Sequence, residues 1–288
     1  MKFKGLVAGA AVAALGALAF GGQAGAVVIT NGTVSVGIND YGQLYDGVVG
    51  FKRDGDGVDV MATYAPRDSW GVNGSYADEG NFSGSAGVTI GAASNTGDSA
   101  VKTFTTDSGF SVTQSFSFVA PNILAVETDL TNISGGDLSA LFQRLAEFNA
   151  DLSGATDIVE YETNPYSTGI QTTYLGFDTP NTADDWFFPC CSADPYDGGA
   201  GFRLNLGTMA AGATKTFTFY YGLGDADLGD QLKAAGATDV LVVANQGATL
   251  AGGMGVAIAV PEPTTWAMML LGFLGLGSMV RRRKAALA

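Results

Sequence analysis

Apolar and polar residues alternate along several stretches in the middle of the chain. Two such stretches occupy residues 101–119 and flank a turn at residues 107–109, where Gly109 can adopt the positive φ of a tight turn. Along the second stretch, one side is apolar and the other carries hydroxyls: Val112, Phe116 and Phe118 against Ser111, Thr113, Ser115 and Ser117. This pattern predicts a β-hairpin with one buried face and one solvent face.

Two further stretches show the same period of two. Residues 123–132 place Leu124, Val126, Thr128 and Leu130 on one face, with Glu127 and Asp129 on the other. Residues 215–224 bring Phe217, Phe219 and Tyr221 to one face. Branched and aromatic side chains suit a pleated surface, so both stretches are predicted strands.

Two segments carry helical spacing instead. In residues 137–152, Leu138, Leu141, Phe142, Leu145 and Phe148 recur at helical intervals behind a candidate cap, Asp137, although alternate residues would also suit a strand. Residues 226–237 predict a short helix more clearly, with Asp227 as cap and Gly236 as stop.

Strands spaced by about 8 to 12 residues with glycine-rich turns are typical of an antiparallel β-sandwich. The predicted fold class is therefore all-β, in an exported domain of residues 27–259 that forms one large sandwich or two small ones. Helices are expected at the two ends and in residues 226–237, and residues 137–152 could form either a helix or a strand.

The two ends predict export. Lys2 and Lys4 precede an apolar run, and Ala24-Gly25-Ala26 offers the small residues that signal peptidase accepts, so residues 1–26 are the expected signal peptide. Near the other end, residues 264–280 are apolar and just long enough for one transmembrane helix. The basic cluster that follows, Arg281, Arg282, Arg283 and Lys284, orients such a helix with its end in the cytoplasm.

Charge excludes one class of partner. Six of the 14 Lys and Arg residues lie in the two ends, against one of the 28 Asp and Glu residues, so residues 27–260 hold 8 cations and 27 acids, a net charge of −19. Nucleic-acid binding needs cations that replace the counterions of the phosphates. Nucleic acids are therefore not expected partners.

The chain contains no histidine, which removes the usual base of serine and cysteine hydrolases and the usual zinc ligand. A pair of carboxylates could still hydrolyse glycosides, which leaves a glycosidase as a lesser alternative. No catalytic residue is assigned, and the chain is expected not to be an enzyme.

Residues 53–59 give the best candidate for calcium. Asp54, Asp56 and Asp59 offer hard oxygen ligands within six residues, and glycines between them let the backbone curve. Val58 departs from the usual calcium loop, so an Asp- and Gly-rich surface turn is the competing interpretation. No other cofactor is expected.

Cys190 and Cys191 are the only cysteines. In an oxidising compartment they could form a bond between adjacent residues, remain two free thiols, or bridge two chains. Nearby aromatic and acidic residues, including Trp186, Phe187 and Tyr196, could contact a glycan or could pack beneath a long loop.

The C-terminal order of Pro261-Glu262-Pro263, a short apolar helix and an arginine cluster resembles the PEP-CTERM sorting signal of Gram-negative bacteria. The resemblance covers residues 260–288. It implies that Pro261, Glu262 and Pro263 are recognised by an exosortase, which removes the tail and passes an inner-membrane precursor to the cell surface or biofilm matrix. The middle of the chain is similar to β-rich domains of such proteins, which favours a strand over residues 137–152.

The function implied is that of an exported, non-enzymatic surface or matrix protein, with signal peptidase and exosortase as processing partners. The alternative is a carbohydrate-binding module for exopolysaccharide, with or without calcium.

Overall fold

A computed structural model describes residues 25–61, 68–79, 85–148, 156–159, 167–173, 198–225, 227–245 and 251–258. Its strands are β1 (Val27–Thr30), β2 (Val34–Ile38), β3 (Phe51–Arg53), β4 (Asp68–Val72), β5 (Ser75–Glu79), β6 (Val88–Asn95), β7 (Ser99–Thr106), β8 (Phe110–Ala120), β9 (Ile123–Asn132), β10 (Leu138–Phe148), β11 (Thr156–Val159), β12 (Ser167–Thr173), β13 (Gly198–Met209), β14 (Thr214–Gly224), β15 (Asp239–Asn245) and β16 (Ala251–Ile258). One helix, α1 (Leu228–Ala234), lies among them. The prediction of an antiparallel, mostly β-strand chain is confirmed.

The strands form three antiparallel sheets. The largest has the order β11-β15-β16-β14-β9-β8-β7-β6, the second has the order β12-β13-β10-β4-β5, and the smallest has the order β1-β2-β3. Strand β16, the last strand that the structure describes, lies inside the largest sheet between β15 and β14. The eight-stranded sheet is therefore complete only when residues 251–258 have joined it.

Aromatic rings hold the five-stranded and eight-stranded sheets face to face. The ring centroids of Trp70 and Phe104 are 5.0 Å apart, and those of Phe142 and Phe217 are 4.8 Å apart. Each pair joins a strand of one sheet to a strand of the other. All four side chains are buried, and such ring contacts add to the free energy gained by burial.

The predicted hairpin is confirmed in detail. Strands β7 and β8 pair across residues 107–109, and Gly109 adopts φ +90°. Along β8, Val112 and Phe116 are buried while Ser111 and Ser117 are not. The period of two in the sequence therefore reports the two faces of the sheet directly.

Residues 138–148 form strand β10, so the helical spacing in this segment is misleading. Strand β10 lies between β13 and β4, and side chains on both of its faces are buried over residues 142–146. A strand that is buried on both faces loses the apolar–polar alternation and can carry apolar residues at any interval.

Helix α1 confirms the second helical prediction and corrects its cap. The Asp227 side chain makes no capping hydrogen bond, although the backbone ends the helix as expected at Gly236, with φ +116°. Leu228 and Leu232 pack onto the outer face of the eight-stranded sheet, against Ile123 and neighbouring apolar residues. This second apolar cluster covers one end of that face.

The predicted helices at the chain ends lie outside the described residues, apart from Gly25 and Ala26. Among the residues that are described, no helix has the length and apolar character needed to cross a membrane.

Candidate functional site

Three ionisable side chains meet inside the domain. Arg144 on β10 donates hydrogen bonds from Nε to Asp68 Oδ1 at 3.1 Å and from a terminal nitrogen to Asp68 Oδ2. Tyr221 on β14 accepts a hydrogen bond from Arg144 Nε and donates its hydroxyl proton to Asp68 Oδ1 at 2.8 Å. All three side chains are fully buried. We refer to Asp68, Arg144 and Tyr221 as the buried triad.

The loop of residues 39–44 closes the buried triad. Gly42 O accepts a hydrogen bond from Arg144 at 3.1 Å, and the Leu44 N–H donates to Asp68 Oδ2 at 2.7 Å. Gln43 donates its side-chain amide to Asp68 O at 2.7 Å. The carboxylate is thus held by a cation, a phenol and a backbone N–H, as a buried charge requires.

Burial and pairing act in opposite directions on the triad's proton affinities. Burial raises the pKa of Asp68, while the Arg144 guanidinium lowers it. Burial also opposes the charge on Arg144, but the neighbouring Asp68 and Tyr221 outweigh it and raise the pKa of Arg144. The pKa of Tyr221 lies well above its ordinary value, chiefly because the phenol is buried. With all three groups sealed from solvent, this arrangement can stabilise the fold but offers no open position to a substrate.

A second polar row crosses the inner face of the eight-stranded sheet. Lys102, Gln114 and Thr128 are register partners on β7, β8 and β9, and all three are buried. Among the described residues, neither amide atom of Gln114 nor the hydroxyl of Thr128 has a hydrogen-bond partner. The alternation of residues 110–132 puts Gln114 and Thr128 on the predicted buried faces, but only the strand register shows that the buried Lys102 lies beside them.

The outer face of the same sheet is rich in hydroxyls, since nine of the twelve side chains in three adjoining rows are Ser or Thr. Three rows cross β7, β8, β9 and β14: Thr105-Ser111-Thr131-Thr214, Thr103-Thr113-Asp129-Thr216 and Val101-Ser115-Glu127-Thr218. We call these twelve residues the hydroxyl face. All are exposed or half-buried, and none is a cation. Neighbouring strands lie about 4.8 Å apart and successive rows about 6.7 Å apart, so the face is a regular array of hydrogen-bonding groups.

The candidate calcium residues are occupied with other partners. Asp56 pairs with Arg53 at 2.5 Å, and this hydrogen bond is the main reason that the pKa of Asp56 is lowered. Asp54 accepts a hydrogen bond from the Ser35 hydroxyl at 2.7 Å, and Asp59 accepts N–H bonds from Gly50 and two further residues. In the part of the chain that the structure describes, no three Asp, Glu, His or Cys residues are grouped to hold a metal ion.

The remaining predicted site residues lie outside the described residues. These are the two cysteines, Cys190 and Cys191, and the candidate glycan contacts Trp186, Phe187 and Tyr196. The predicted sorting residues Pro261, Glu262 and Pro263 and the basic cluster Arg281, Arg282, Arg283 and Lys284 are also outside them. Their proposed roles stay predictions.

The described part of the chain ends with strand β16, whose last residue is Ile258. The PEP-CTERM protein-sorting motif matches residues 259–284, so it begins at the residue after the sheet. The chain carries a PEP-CTERM sorting motif. This PEP-CTERM motif includes Pro261, Glu262 and Pro263, and it indicates exosortase-dependent sorting, with export and a membrane-anchored precursor.

No curated protein matches the chain in sequence. Among solved structures, an aldose 1-epimerase candidate from Escherichia coli K12 is 12% identical to this chain. The alignment covers 80% of this chain and 87% of the E. coli chain, with a TM-score of 0.35. A galactose mutarotase-like protein from Lactobacillus casei is 10% identical, with 81% and 87% coverage and a TM-score of 0.37. These scores are too low to support any conclusion about the PEP-CTERM chain's activity.

Proposed function

We propose that this chain is an exported, non-enzymatic protein of the cell surface or extracellular matrix. In this proposal its signal peptide is removed after Ala26, and its antiparallel β-sandwich is delivered as one folded unit by an exosortase acting at Pro261-Glu262-Pro263. The observation that carries the proposal is the sorting motif that starts directly after the last strand.

The short distance between strand and motif supports delivery of the whole domain. Only residues 259 and 260 separate Ile258 from Pro261, and five residues separate Ile258 from the start of the predicted helix at Thr264. Five extended residues span at most about 18 Å. The folded domain is therefore held close to the membrane face, and cleavage within the motif leaves strand β16 in the sheet.

The placement of the chemical groups supports a non-enzymatic role. Arg144, Asp68 and Tyr221 use one another as hydrogen-bond partners and are fully buried. A catalytic group must reach its substrate within hydrogen-bond distance. The chain also has no histidine.

The test replaces all three sorting residues, Pro261→Ala, Glu262→Ala and Pro263→Ala, in the full chain. The unchanged chain and the triple variant are each expressed in a Gram-negative host that carries an exosortase. The protein in the membrane and external fractions is then compared by intact mass. We expect the unchanged chain to lose its tail and leave the membrane, and the triple variant to keep its tail there. Pro121→Ala, in the β8–β9 turn, is the matched control. Release of the triple variant at the normal rate would contradict the proposal.

A second candidate function is the binding of a neutral polysaccharide, and the hydroxyl face is the observation that favours it. Hydroxyls repeated in two directions can hydrogen-bond to an extended polymer of sugars, and Glu127 and Asp129 repel acidic polymers. The predicted glycan contacts Trp186, Phe187 and Tyr196, which lie outside the described residues, are the alternative contacts for the same class of ligand.

Calorimetry with neutral matrix polysaccharide separates the two surfaces. Thr113→Val with Thr218→Val changes the hydroxyl face, Trp186→Ala changes the aromatic segment, and Thr33→Val is a control on another exposed surface. If the heat of binding disappears only in Thr113→Val with Thr218→Val, the polysaccharide binds to the hydroxyl face. No heat with any form would remove this second function and leave the sorting proposal unaffected.

A further inference from the structure

Lys102 is a buried cation whose hydrogen-bond acceptor lies at the edge of the predicted signal peptide. The Lys102 side chain is only 1% exposed, and its Nζ donates to Gly25 O at 2.6 Å. The carboxylate oxygen Oδ1 of Asp40 is 4.0 Å from Lys102 Nζ, which is too far for a hydrogen bond. Asp40 Oδ1 is itself buried and has no hydrogen-bond partner among the described residues.

The register of strands β1 and β2 explains why these groups meet. Val27 pairs with Ile38 in antiparallel register, so the same register continued two residues outward sets Gly25 opposite Asp40. Lys102 reaches this point from β7, which contacts β1. In the uncleaved chain, Lys102 Nζ therefore donates its hydrogen bond to the Gly25 carbonyl and not to the Asp40 carboxylate.

Processing removes that carbonyl. Hydrolysis of the Ala26–Val27 peptide bond consumes one water, leaves a carboxylate on Ala26 and creates an α-ammonium on Val27. Gly25 departs with the signal peptide, and the Lys102 ammonium loses its hydrogen-bond acceptor. An ammonium that has lost its hydrogen-bond acceptor needs another one, and charge-assisted N–H···O bonds favour about 2.7 to 2.9 Å. A shift of about 1.2 Å by a flexible lysine side chain reaches Asp40 from 4.0 Å.

We infer that removal of residues 1–26 transfers the Lys102 ammonium from the Gly25 carbonyl to the Asp40 carboxylate, so that their 4.0 Å charge contact becomes a hydrogen-bonded ion pair in the processed protein. The inference rests on the signal-peptide removal in the proposed function. The half-exposed Asp40 carboxylate has a second oxygen, which is available to the new α-ammonium of Val27, two register positions away.

The ion pair acts on the loop that closes the buried triad. Asp40 belongs to the loop of residues 39–44, which supplies Gly42 O to Arg144 and the Leu44 N–H to Asp68. Pairing of Asp40 with Lys102 ties this loop to strand β7. The loop of residues 39–44 is therefore held more tightly in the cleaved protein than in the uncleaved precursor.

The experiment compares cleaved and uncleaved full chains from a Gram-negative host without exosortase, so that both keep the same C-terminus. Ala24→Leu with Ala26→Leu blocks signal peptidase, which requires small residues there, and Ala26 is exposed and tolerates leucine. Intact mass establishes whether residues 1–26 are present. In each form, a double-mutant cycle of Lys102→Met and Asp40→Asn is measured by urea unfolding.

We expect a coupling of about 5- to 10-fold in the unfolding equilibrium constant in the cleaved form and less than about 2-fold in the uncleaved form. Lys215→Met with Asp40→Asn is the matched control and should show no coupling in either form, since Lys215 bonds to Leu206 O. Equal coupling in the two forms overturns the inference.

A second measurement keeps Lys102 in place, in case Lys102→Met fails to fold. Proton–nitrogen spectra of the lysine ammonium groups should show a Lys102 signal that Asp40→Asn shifts in the cleaved form only, while the Lys215 signal stays unchanged. If Asp40→Asn leaves the Lys102 signal unshifted in the cleaved form, this inference is overturned and the proposed signal-peptide removal is unaffected. A chain that retains residues 1–26 in the host overturns the proposed signal-peptide removal and this inference together.

Discussion

Arg144 and Lys102 are both buried cations at the centre of the domain, but they are held in different ways. Arg144 has a carboxylate, a phenol and a backbone carbonyl from three separate segments of the chain. Lys102 has one backbone carbonyl, Gly25 O, and a carboxylate 4.0 Å away. The partners of Arg144 all belong to the folded domain, whereas the acceptor of Lys102 lies in a segment predicted to leave.

The difference shows that burial of a charge does not by itself reveal its role. The partners of Arg144 belong to two sheets and a loop of the folded domain, although its other terminal nitrogen is buried without a hydrogen-bond partner among the described residues. Burial lowers the pKa of Lys102, and the Asp40 charge opposes this only in part, as expected of an incompletely paired cation. Changes at the two cations should therefore differ in size.

The largest effect is expected for Arg144→Met. This change leaves Asp68 buried without its cation, which should lower the free energy of unfolding by about 3 to 5 kcal/mol in urea unfolding. Adding Asp68→Asn to Arg144→Met removes the orphaned charge and should recover part of the loss. A loss below about 1 kcal/mol for the single variant would mean that the ion pair contributes little.

Gly42→Ala tests the loop that closes the triad. Gly42 adopts φ +72°, and a Cβ there would lie 2.5 Å from Gln114 Oε1 and 2.9 Å from Phe104 Cζ. Backbone strain and overpacking together should cost about 2 to 4 kcal/mol. Gly212→Ala is the matched control, because φ is +75° with no atom within 4 Å. Equal melting temperatures for the two variants would show that the contact with Gln114 is unimportant.

Tyr221→Phe removes one hydrogen-bond donor from Asp68 and should cost about 1 to 2 kcal/mol at neutral pH. The pKa of Tyr221 is raised in the folded protein, so above about pH 10 the unfolded tyrosine loses its proton while the folded one keeps it. Stability therefore falls as pH rises, by up to about 1.4 kcal/mol per pH unit for this group. Unfolding measured from pH 8 to 11 should show a shallower decline in Tyr221→Phe. Parallel curves would contradict the assignment.

The smallest effect is expected for Lys102→Met in the chain that keeps Gly25. Methionine retains the apolar stem and removes a charge that burial disfavours, so the free energy of unfolding should change by less than about 1 kcal/mol. Thermal unfolding beside Arg144→Met gives the direct comparison. A loss as large as that of Arg144→Met would show that the two cations are equally well paired.

The sequence predicted those parts of the fold that depend on local pattern. The β7–β8 hairpin, the buried face of β9 and helix α1 were all legible, because each is set by side-chain alternation or by a glycine with positive φ. The segment of β10 was ambiguous, since neighbours on both sides bury both of its faces.

The buried triad was not predictable in the same way. Asp68 and Arg144 are 76 residues apart, and Tyr221 lies 77 residues beyond Arg144. Nothing near Arg144 in the chain distinguishes it from an exposed arginine. Only the pairing of β4 with β10 and the packing of β14 across from them bring the three groups together.

Local patterns in the sequence are enough to predict a chain rich in antiparallel strands and a sorting motif at residues 259–284, because alternation and a contiguous motif are local properties. Tertiary structure alone decided which charges are buried and which partners they have. Lys102 and Gly25 are 77 residues apart, and the hydrogen bond between them exists because β1 lies beside β7. Long-range pairing of strands sets such contacts, and no local pattern encodes it.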